Sequence, residues 1–300
     1  MSITVEPITE DFVAEVGDVD LSLPLAPEDE AAIKQAFWKY AVLVFPGQAL
    51  DEDAHLAFAQ RFGPLEPSVR VYRTDVKPRL ERYEMADISN LDDKGEIWDA
   101  DSRIRLQEMG NRLWHTDASF KFVPARASML YARAIPPIGG HTEFCDTRAA
   151  YDALPEAMRA KLEGLVAEHS LFNSRARIGF SDFVGSEREN LPPVPQALVR
   201  SHADSGRRHL YIAAHAGRVF GMAEAEGRAL IDELLAHCAR RQFVYTHRWR
   251  VGDLVMWDNR CTMHRGTGYD DLRHKRDMLR ATVSDEMNSC EREGLEVDAA

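Results

Sequence analysis

QFVYTHRWRVGDLVMWDNRCTMHRG, residues 242–266, holds two β-type runs parted by a Gly-Asp turn and closes on a histidine. The runs, QFVYTHRW (242–249) and DLVMWD (253–258), are rich in β-branched and aromatic residues. Working outward, the same texture recurs in ASMLYARAI (127–135), HTEFCD (141–146), QALVRSH (196–202), HLYIAAH (209–215) and LRATVS (279–284). PPIGG (136–140) supplies turn chemistry between the first two of these. Many short strands with Gly/Pro turns predict a mainly β sandwich or barrel with helices packed outside it. Helices are predicted at about 147–163 and 222–239. Nearer the start, Pro27 precedes EDEAAIKQAFWKY, with Ile33, Phe37 and Tyr40 close to helical spacing. AVLVFP (41–46) follows as a strand, and Asp51 caps a second helix, DAHLAFAQRFG, closed by Gly63 and Pro64. Residues 66–112 read as polar and irregular apart from a strand in YEMADISN (83–90). The charged run DDKGEIWDADSR (92–103) reads as a solvated loop, placed to serve as a lid. No linker marks a boundary, so residues 1–300 are expected to form a single domain.

The formal charge of −12 argues against a nucleic-acid binder, which would carry a basic face. Cys145, Cys238, Cys261 and Cys290 are far apart and form no CxxC pair, so free thiols in a reducing cytoplasm are expected rather than a zinc ribbon or disulfide scaffold. MSITVEPITEDF has neither a basic n-region nor an apolar h-region, and no run approaches 18 apolar residues, so neither a secretory signal nor a membrane span is expected.

LWHTDASF places His115 and Asp117 two residues apart, on one face if the segment is extended. By itself an HxD tripeptide carries little weight, because it arises often by chance. MWDNRCTMHRG supplies a third candidate ligand, His264, just after a strong strand. Two imidazoles and one carboxylate form the facial ligand set that leaves three positions of an iron ion open, two for a chelating 2-oxo acid and one for dioxygen. Arg276 and Arg280 follow in RDMLRATVS; if this segment is extended, the pair shares one face. A guanidinium binds a carboxylate through a rigid two-pronged fork, which suits the far end of a dicarboxylic co-substrate. An arbitrary arginine pair would more often make surface salt bridges.

WHTD, GGHTEFCDTRAAYDALP, GDLVMWDNRCTMHRG and RATVS together resemble the TauD/TfdA family of Fe(II)/2-oxoglutarate-dependent dioxygenases, from AVLVFPGQ (41–48) and FAQRFGPLE (58–66) onward. ADISN (86–90), LPPV (191–194), TEFCDTRAAYDALP (142–155) and QFVYTHRWRVGDLVMWDNRC (242–261) are most similar to its 2,4-dichlorophenoxyacetate branch. The resemblance implies a double-stranded β-helix, or jelly roll, with Fe(II) held by His115, Asp117 and His264 at one mouth. It implies 2-oxoglutarate bound by Thr142 and Arg276, O2 as oxidant, and ascorbate as a support for activity. Arg280 would meet the acidic group of the primary substrate. His202 and His215 match histidines around an aryloxyacetate, with a structural role equally open, and Asn90 and Trp257 match positions near the site with the same alternative. The implied reaction is hydroxylation of an aryloxyacetate and cleavage of its ether to a phenol and glyoxylate, with succinate and CO2 as co-products. Taurine or another alkylsulfonate, an alkyl sulfate and an aryloxypropionate are alternative substrates.

Residues 67–80 and 91–110 depart from the family pattern, and Arg70 is a candidate basic contact there. One residue is inserted between His264 and Arg276, which leaves Arg273, Arg276 and Arg280 to be told apart. A homo-oligomer would suit the hydrophobic edge strands; no nucleic-acid or membrane partner is expected. Two readings of other classes compete. A non-catalytic jelly-roll binding protein would need no open metal face, and a zinc hydrolase would need an acid placed as a base beside its metal.

Overall fold

Period-two alternation decides which side of each strand meets which core. In the computed structural model, which describes residues 3–73 and 75–296, the chain opens with β1 (Thr4–Pro7), β2 (Val13–Gly17), α1 (Pro27–Tyr40), β3 (Val42–Phe45), α2 (Glu52–Gln60) and β4 (Met85–Asp87). Next come α3 (Arg103–Glu108), β5 (Ala125–Ala134), β6 (Thr142–Asp146), α4 (Thr147–Asp152), α5 (Glu156–Leu162) and β7 (Val166–His169). They are followed by α6 (Leu171–Ala176), α7 (Gly185–Asn190), β8 (Val194–Ala197), β9 (Val199–Ser201), β10 (Arg208–Leu210), β11 (Ala216–Val219) and α8 (Glu224–Cys238). The chain closes with β12 (Val244–His247), β13 (Leu254–Asp258), β14 (Thr262–Gly266), β15 (Asp277–Ser284) and α9 (Ser289–Glu293).

A seven-stranded sheet, ordered β1-β2-β3-β13-β5-β15-β4, faces a smaller sheet, β12-β6-β14. Val42 and Val44, Leu130 and Ala132, and Val255 and Trp257 point inward to a shared core with Phe144 of β6. Their alternates Leu43, Phe45, Met129, Tyr131 and Met256 point outward, where Ile33, Phe37 and Tyr40 of α1 and Leu56 and Phe58 of α2 cover them. On the small sheet's side, Leu230, Ile231 and Leu234 of α8 pack with α4 residues and Met263. Two largely antiparallel sheets closed on one core, with helices outside, make the expected double-stranded β-helix.

Several elements differ from the sequence reading. The 147–163 helix is broken, with Pro155 at the N-cap of α5. The QALVRSH run splits into β8 and β9, and HLYIAAH forms a strand only at its start, in β10. The charged run at 92–103 carries a Leu91–Ile97 bridge and leads into α3, so the 66–112 stretch is more ordered than a solvated loop. Thr74, within the 67–80 loop, lies outside the described residues. All four cysteines are free and buried. Among the described residues no helix is long and apolar enough to cross a membrane.

Candidate metal centre and its two cavities

His264 lies on β14, where its backbone bridges that of His115, so two chain segments 149 residues apart are locked side by side. The 115–117 segment is not a strand. After the bridge at His115 the chain turns, and Ala118 takes φ +52°.

His115 Nε2 is 3.9 Å from Asp117 Oδ1, and His264 Nε2 is 3.7 Å from Asp117 Oδ2. These gaps are too long for hydrogen bonds. They suit donors around one ion, because ligands each about 2.1 Å from a common metal lie at most about 4.2 Å apart. His115 Nδ1 faces the Leu113 carbonyl at 2.7 Å, which fixes the ring and turns Nε2 to the centre. Burial holds both imidazoles below their ordinary pKa, so their lone pairs are available. Burial alone would raise the Asp117 carboxyl, but Arg280 and then the two histidines and Ser128 hold it below the ordinary carboxylate range. Neutral imidazoles and an ionised carboxylate, converging without bonding one another, are a donor set that fits a divalent metal.

Ser128 and Asn259, which the sequence reading missed, support this set. Ser128 Oγ donates to Asp117 Oδ2 at 2.7 Å, and Asn259 Nδ2 donates to Ser128 Oγ at 2.9 Å. Asn259 Oδ1 accepts from the Asp117 backbone N–H and from Trp257 Nε1. A buried serine on the inward face of β5 and an asparagine just after β13 were the available signals.

Two cavities flank the centre. The smaller is lined by His115 and His264 together with Thr142, Trp257, Arg276 and Arg280. Arg276 is buried, its Nε donates to the Gly140 carbonyl at 3.1 Å, and among the described residues no carboxylate pairs with it. Burial lowers its pKa to about 10, with Tyr269 working the other way. Thr142 Oγ1 accepts from Trp249 Nε1 at 3.0 Å, so its own hydrogen can serve another acceptor. Arg273 is an exposed turn residue, its side chain 78 % open, and drops out as an anchor.

The larger cavity takes in His115, Asp117, Arg280, His215 and Arg70. Arg280 projects inward from β15, two positions from Met278 of the inner core, and its Nη1 donates to Asp117 Oδ1. Arg70 is paired with Asp87 at 3.0 Å. His215 binds Ser119 Oγ through Nδ1 at 3.0 Å, and burial first, then His115, keeps it neutral.

Two expected substrate contacts are corrected. His202 is buried and lines neither cavity; its Nε2 binds Asp258 Oδ2 at 2.9 Å and its Nδ1 accepts from Ser205 N–H, which makes it a structural brace. Asp258 is also held by Arg260, and burial keeps Cys261 protonated, so the nearby His202–Asp258–Cys261 cluster is already neutralised without an ion. Asn90 is a clamp rather than a substrate contact. Its Nδ2 donates to the Asp271 and His274 carbonyls and its Oδ1 accepts the Arg276 N–H, which fixes the loop that delivers Arg276. Trp257 packs 4.7 Å from the His264 ring, centroid to centroid.

A jelly roll with two histidines and one carboxylate at a shared point, and a buried unpaired arginine in the adjoining cavity, defines a metal-dependent oxygenase that takes a carboxylic co-substrate. Residues 4–282 match the family described as taurine catabolism dioxygenase TauD, TfdA family. The chain belongs to that family. It is 47 % identical over 287 residues to an alpha-ketoglutarate-dependent 2,4-dichlorophenoxyacetate dioxygenase of Cupriavidus pinatubonensis, covering 95 % of this chain and 99 % of the relative. It is 35 % identical to an (S)-phenoxypropionate/alpha-ketoglutarate-dioxygenase of Sphingobium herbicidovorans, covering 90 % and 92 %. Among solved structures, AAD-2 in complex with Mn(II) and N-oxalylglycine superposes with a TM-score of 0.87 at 42 % identity, covering 96 % of this chain and 99 % of that one.

Proposed function

We propose that this chain is an Fe(II)- and 2-oxoglutarate-dependent dioxygenase that hydroxylates an aryloxyacetate, with 2,4-dichlorophenoxyacetate the first candidate, and releases a phenol and glyoxylate. The observation that carries it is the 47 % identity with a 2,4-dichlorophenoxyacetate dioxygenase across 95 % of the chain. In this reading residues 1–300 are one catalytic domain, working in the cytoplasm, with ascorbate sustaining turnover.

His115, Asp117 and His264 would hold Fe(II), and Thr142 and Arg276 would hold the far carboxylate of 2-oxoglutarate in the smaller cavity. Bound together, Fe(II) and 2-oxoglutarate supply the oxidising power, since one atom of O2 leaves in succinate as CO2 is lost and the other enters the substrate C–H bond. The chain's own residues orient and exclude water. Arg276 in its dry wall meets an anion at little reorganisation cost. Ser128 and Arg280 hold the Asp117 carboxylate from its two oxygens, which fixes the direction it presents to the metal. Arg280, Arg70 and His215 line the larger cavity, where the substrate acid would sit. Oxygenation next to the aryl ether oxygen yields a hemiacetal, which collapses to the phenol and glyoxylate.

The test is a panel of aryloxyacetates, aryloxypropionates, taurine and alkyl sulfates with Fe(II), ascorbate and 2-oxoglutarate, scored by succinate formation and phenol release. Substrate-dependent succinate with stoichiometric phenol from the aryloxyacetates is the expected result. Succinate driven only by taurine or a sulfate ester would overturn the substrate assignment.

A further inference from the structure

Among the described residues six arginines are buried: Arg73, Arg148, Arg175, Arg200, Arg260 and Arg276. Arg73, Arg148, Arg200 and Arg260 each sit on a carboxylate at 2.6–3.0 Å. Among the described residues Arg276 and Arg175 have no such partner, and they are also the two whose pKa burial lowers to about 10. Arg276 lines the smaller cavity and Arg175 the larger one, with His115, Asp117 and His215.

The acids near Arg175 are already taken. Glu108 gives one oxygen to Arg73 at 2.9 Å and the other to Asn111 Nδ2 at 2.6 Å. Glu187 accepts from Gln107 through one oxygen and from Arg103 and the Val184 N–H through the other. Arg175 itself keeps a single contact, Nη1 to Ser174 Oγ at 3.0 Å, and its buried Nε has none. Its guanidinium lies against Gly110, where an added Cβ would come within 2.5 Å of Cζ, so the fork is held in place by packing. Glu108 and Glu187 act on Arg175 only through space, and a buried cation without a carboxylate on its own nitrogens is costly to the fold and is completed when an anion arrives. Both substrate cations expected from sequence are less available, because Arg280 is engaged by Asp117 and Arg70 by Asp87.

We propose that Arg175 is the anchor for the substrate's carboxylate in the larger cavity, the counterpart there of Arg276 in the smaller one. This rests on the dioxygenase reading above, and it adds a specificity-determining residue to it. Arg280 then acts chiefly on the metal-site carboxylate.

The experiment uses the protein loaded with Mn(II) and N-oxalylglycine, which does not turn over, titrated calorimetrically with 2,4-dichlorophenoxyacetate and with the neutral alcohol 2-(2,4-dichlorophenoxy)ethanol. Arg175→Gln should weaken the acid at least about 30-fold and leave the alcohol within about threefold. Arg175→Lys should recover part of the acid affinity, and the KM for 2-oxoglutarate should stay unchanged in both variants. The melting temperature of ligand-free Arg175→Met should equal or exceed that of the wild type, since an unpaired buried charge is removed. Equal losses for acid and alcohol, or a lowered melting temperature with acid affinity retained, would make Arg175 structural and overturn the proposal. If the wild type takes no aryloxyacetate but turns over another acid of the panel, the substrate assignment falls, and the same comparison of that acid with its neutral analogue decides Arg175.

Discussion

Replacing Ser128 by alanine removes one hydrogen bond from the metal-site carboxylate without touching a ligand. Ser128 Oγ donates to Asp117 Oδ2 at 2.7 Å in a fully buried setting, and the opposite oxygen is held by Arg280. A hydrogen bond to an ionised group contributes about 1.5–3 kcal/mol net. At about 1.4 kcal/mol per factor of ten, Ser128→Ala should weaken divalent metal binding by about 10- to 100-fold. Loss of the serine leaves the carboxylate biased toward Arg280, and this loss of orientation is what the expected weakening counts, since the missing donor by itself makes the carboxylate the stronger base. The deletion also strips Asn259 Nδ2 of its acceptor, which should cost about 1–3 kcal/mol of folding stability. Metal affinity is read by competition between Mn(II) and a chelating dye, and stability by urea unfolding of the metal-free protein. A variant whose urea midpoint falls as expected while its Mn(II) affinity stays within about twofold would refute the reasoning, because Ser128 would then serve the fold alone.

Arg276→Ala should raise the KM for 2-oxoglutarate at least about 30-fold, since a buried charge partner of a carboxylate is worth about 2–5 kcal/mol; an unchanged KM removes it from that role. Asp117→Ala should abolish stable Mn(II) binding, and dye competition at wild-type strength would break the ligand assignment. Asn90→Ala frees the backbone that carries Arg276 and should raise the 2-oxoglutarate KM about tenfold with little change in metal affinity, a split that titration of each resolves. Burial lowers His55 to about 4 and His169 to about 3. The unfolded chain takes up those protons below about 6.5 while the folded chain does not, so stability is full above that pH and drops by about 1.4 kcal/mol per group per unit from 6.5 toward 4. Urea midpoints at a series of pH values across that range check the slope, and a flat profile would contradict it.

Five strands of the larger sheet, β3, β4, β5, β13 and β15, were legible because their runs alternate between two apolar cores, whereas β1 and β2 were not read from the sequence. Val42 and Leu43, or Leu130 and Tyr131, are both hydrophobic, yet the runs that contain them are long, apolar and bounded by turn residues. β7, β11 and β14 were not, because VAEH, AGRV and TMHRG carry little strand signal of their own and are extended by pairing with neighbours. α6 and α7, six residues each, are too short for a helical period to show. The candidate ligands His115, Asp117 and His264 could be proposed from spacing and resemblance, but the turn that ends the extended segment there, with Ala118 at positive φ, could not, since alanine gives no warning of it. His202 shows the converse difficulty. Nothing in RSH separates a histidine that faces a ligand from one bonded to Asp258, 56 residues on.

Charge pairing is the part of the site that sequence reading reaches last, and here it changes the assignment of roles. The family resemblance assigned Arg280 to the substrate acid, and Arg70 stood as a candidate contact in a loop that departs from the family pattern. In the fold those two are the ones already holding carboxylates, Asp117 and Asp87. Arg175, within the unremarked segment LFNSRA, and Arg276 are buried where, among the described residues, no carboxylate pairs with them. A dry cavity wall that holds a cation in wait for an anion sacrifices folding stability for pre-organised binding. Two such walls on either side of the proposed metal centre would match a reaction that must hold two different carboxylic acids at once, with each guanidinium completed only by its own acid.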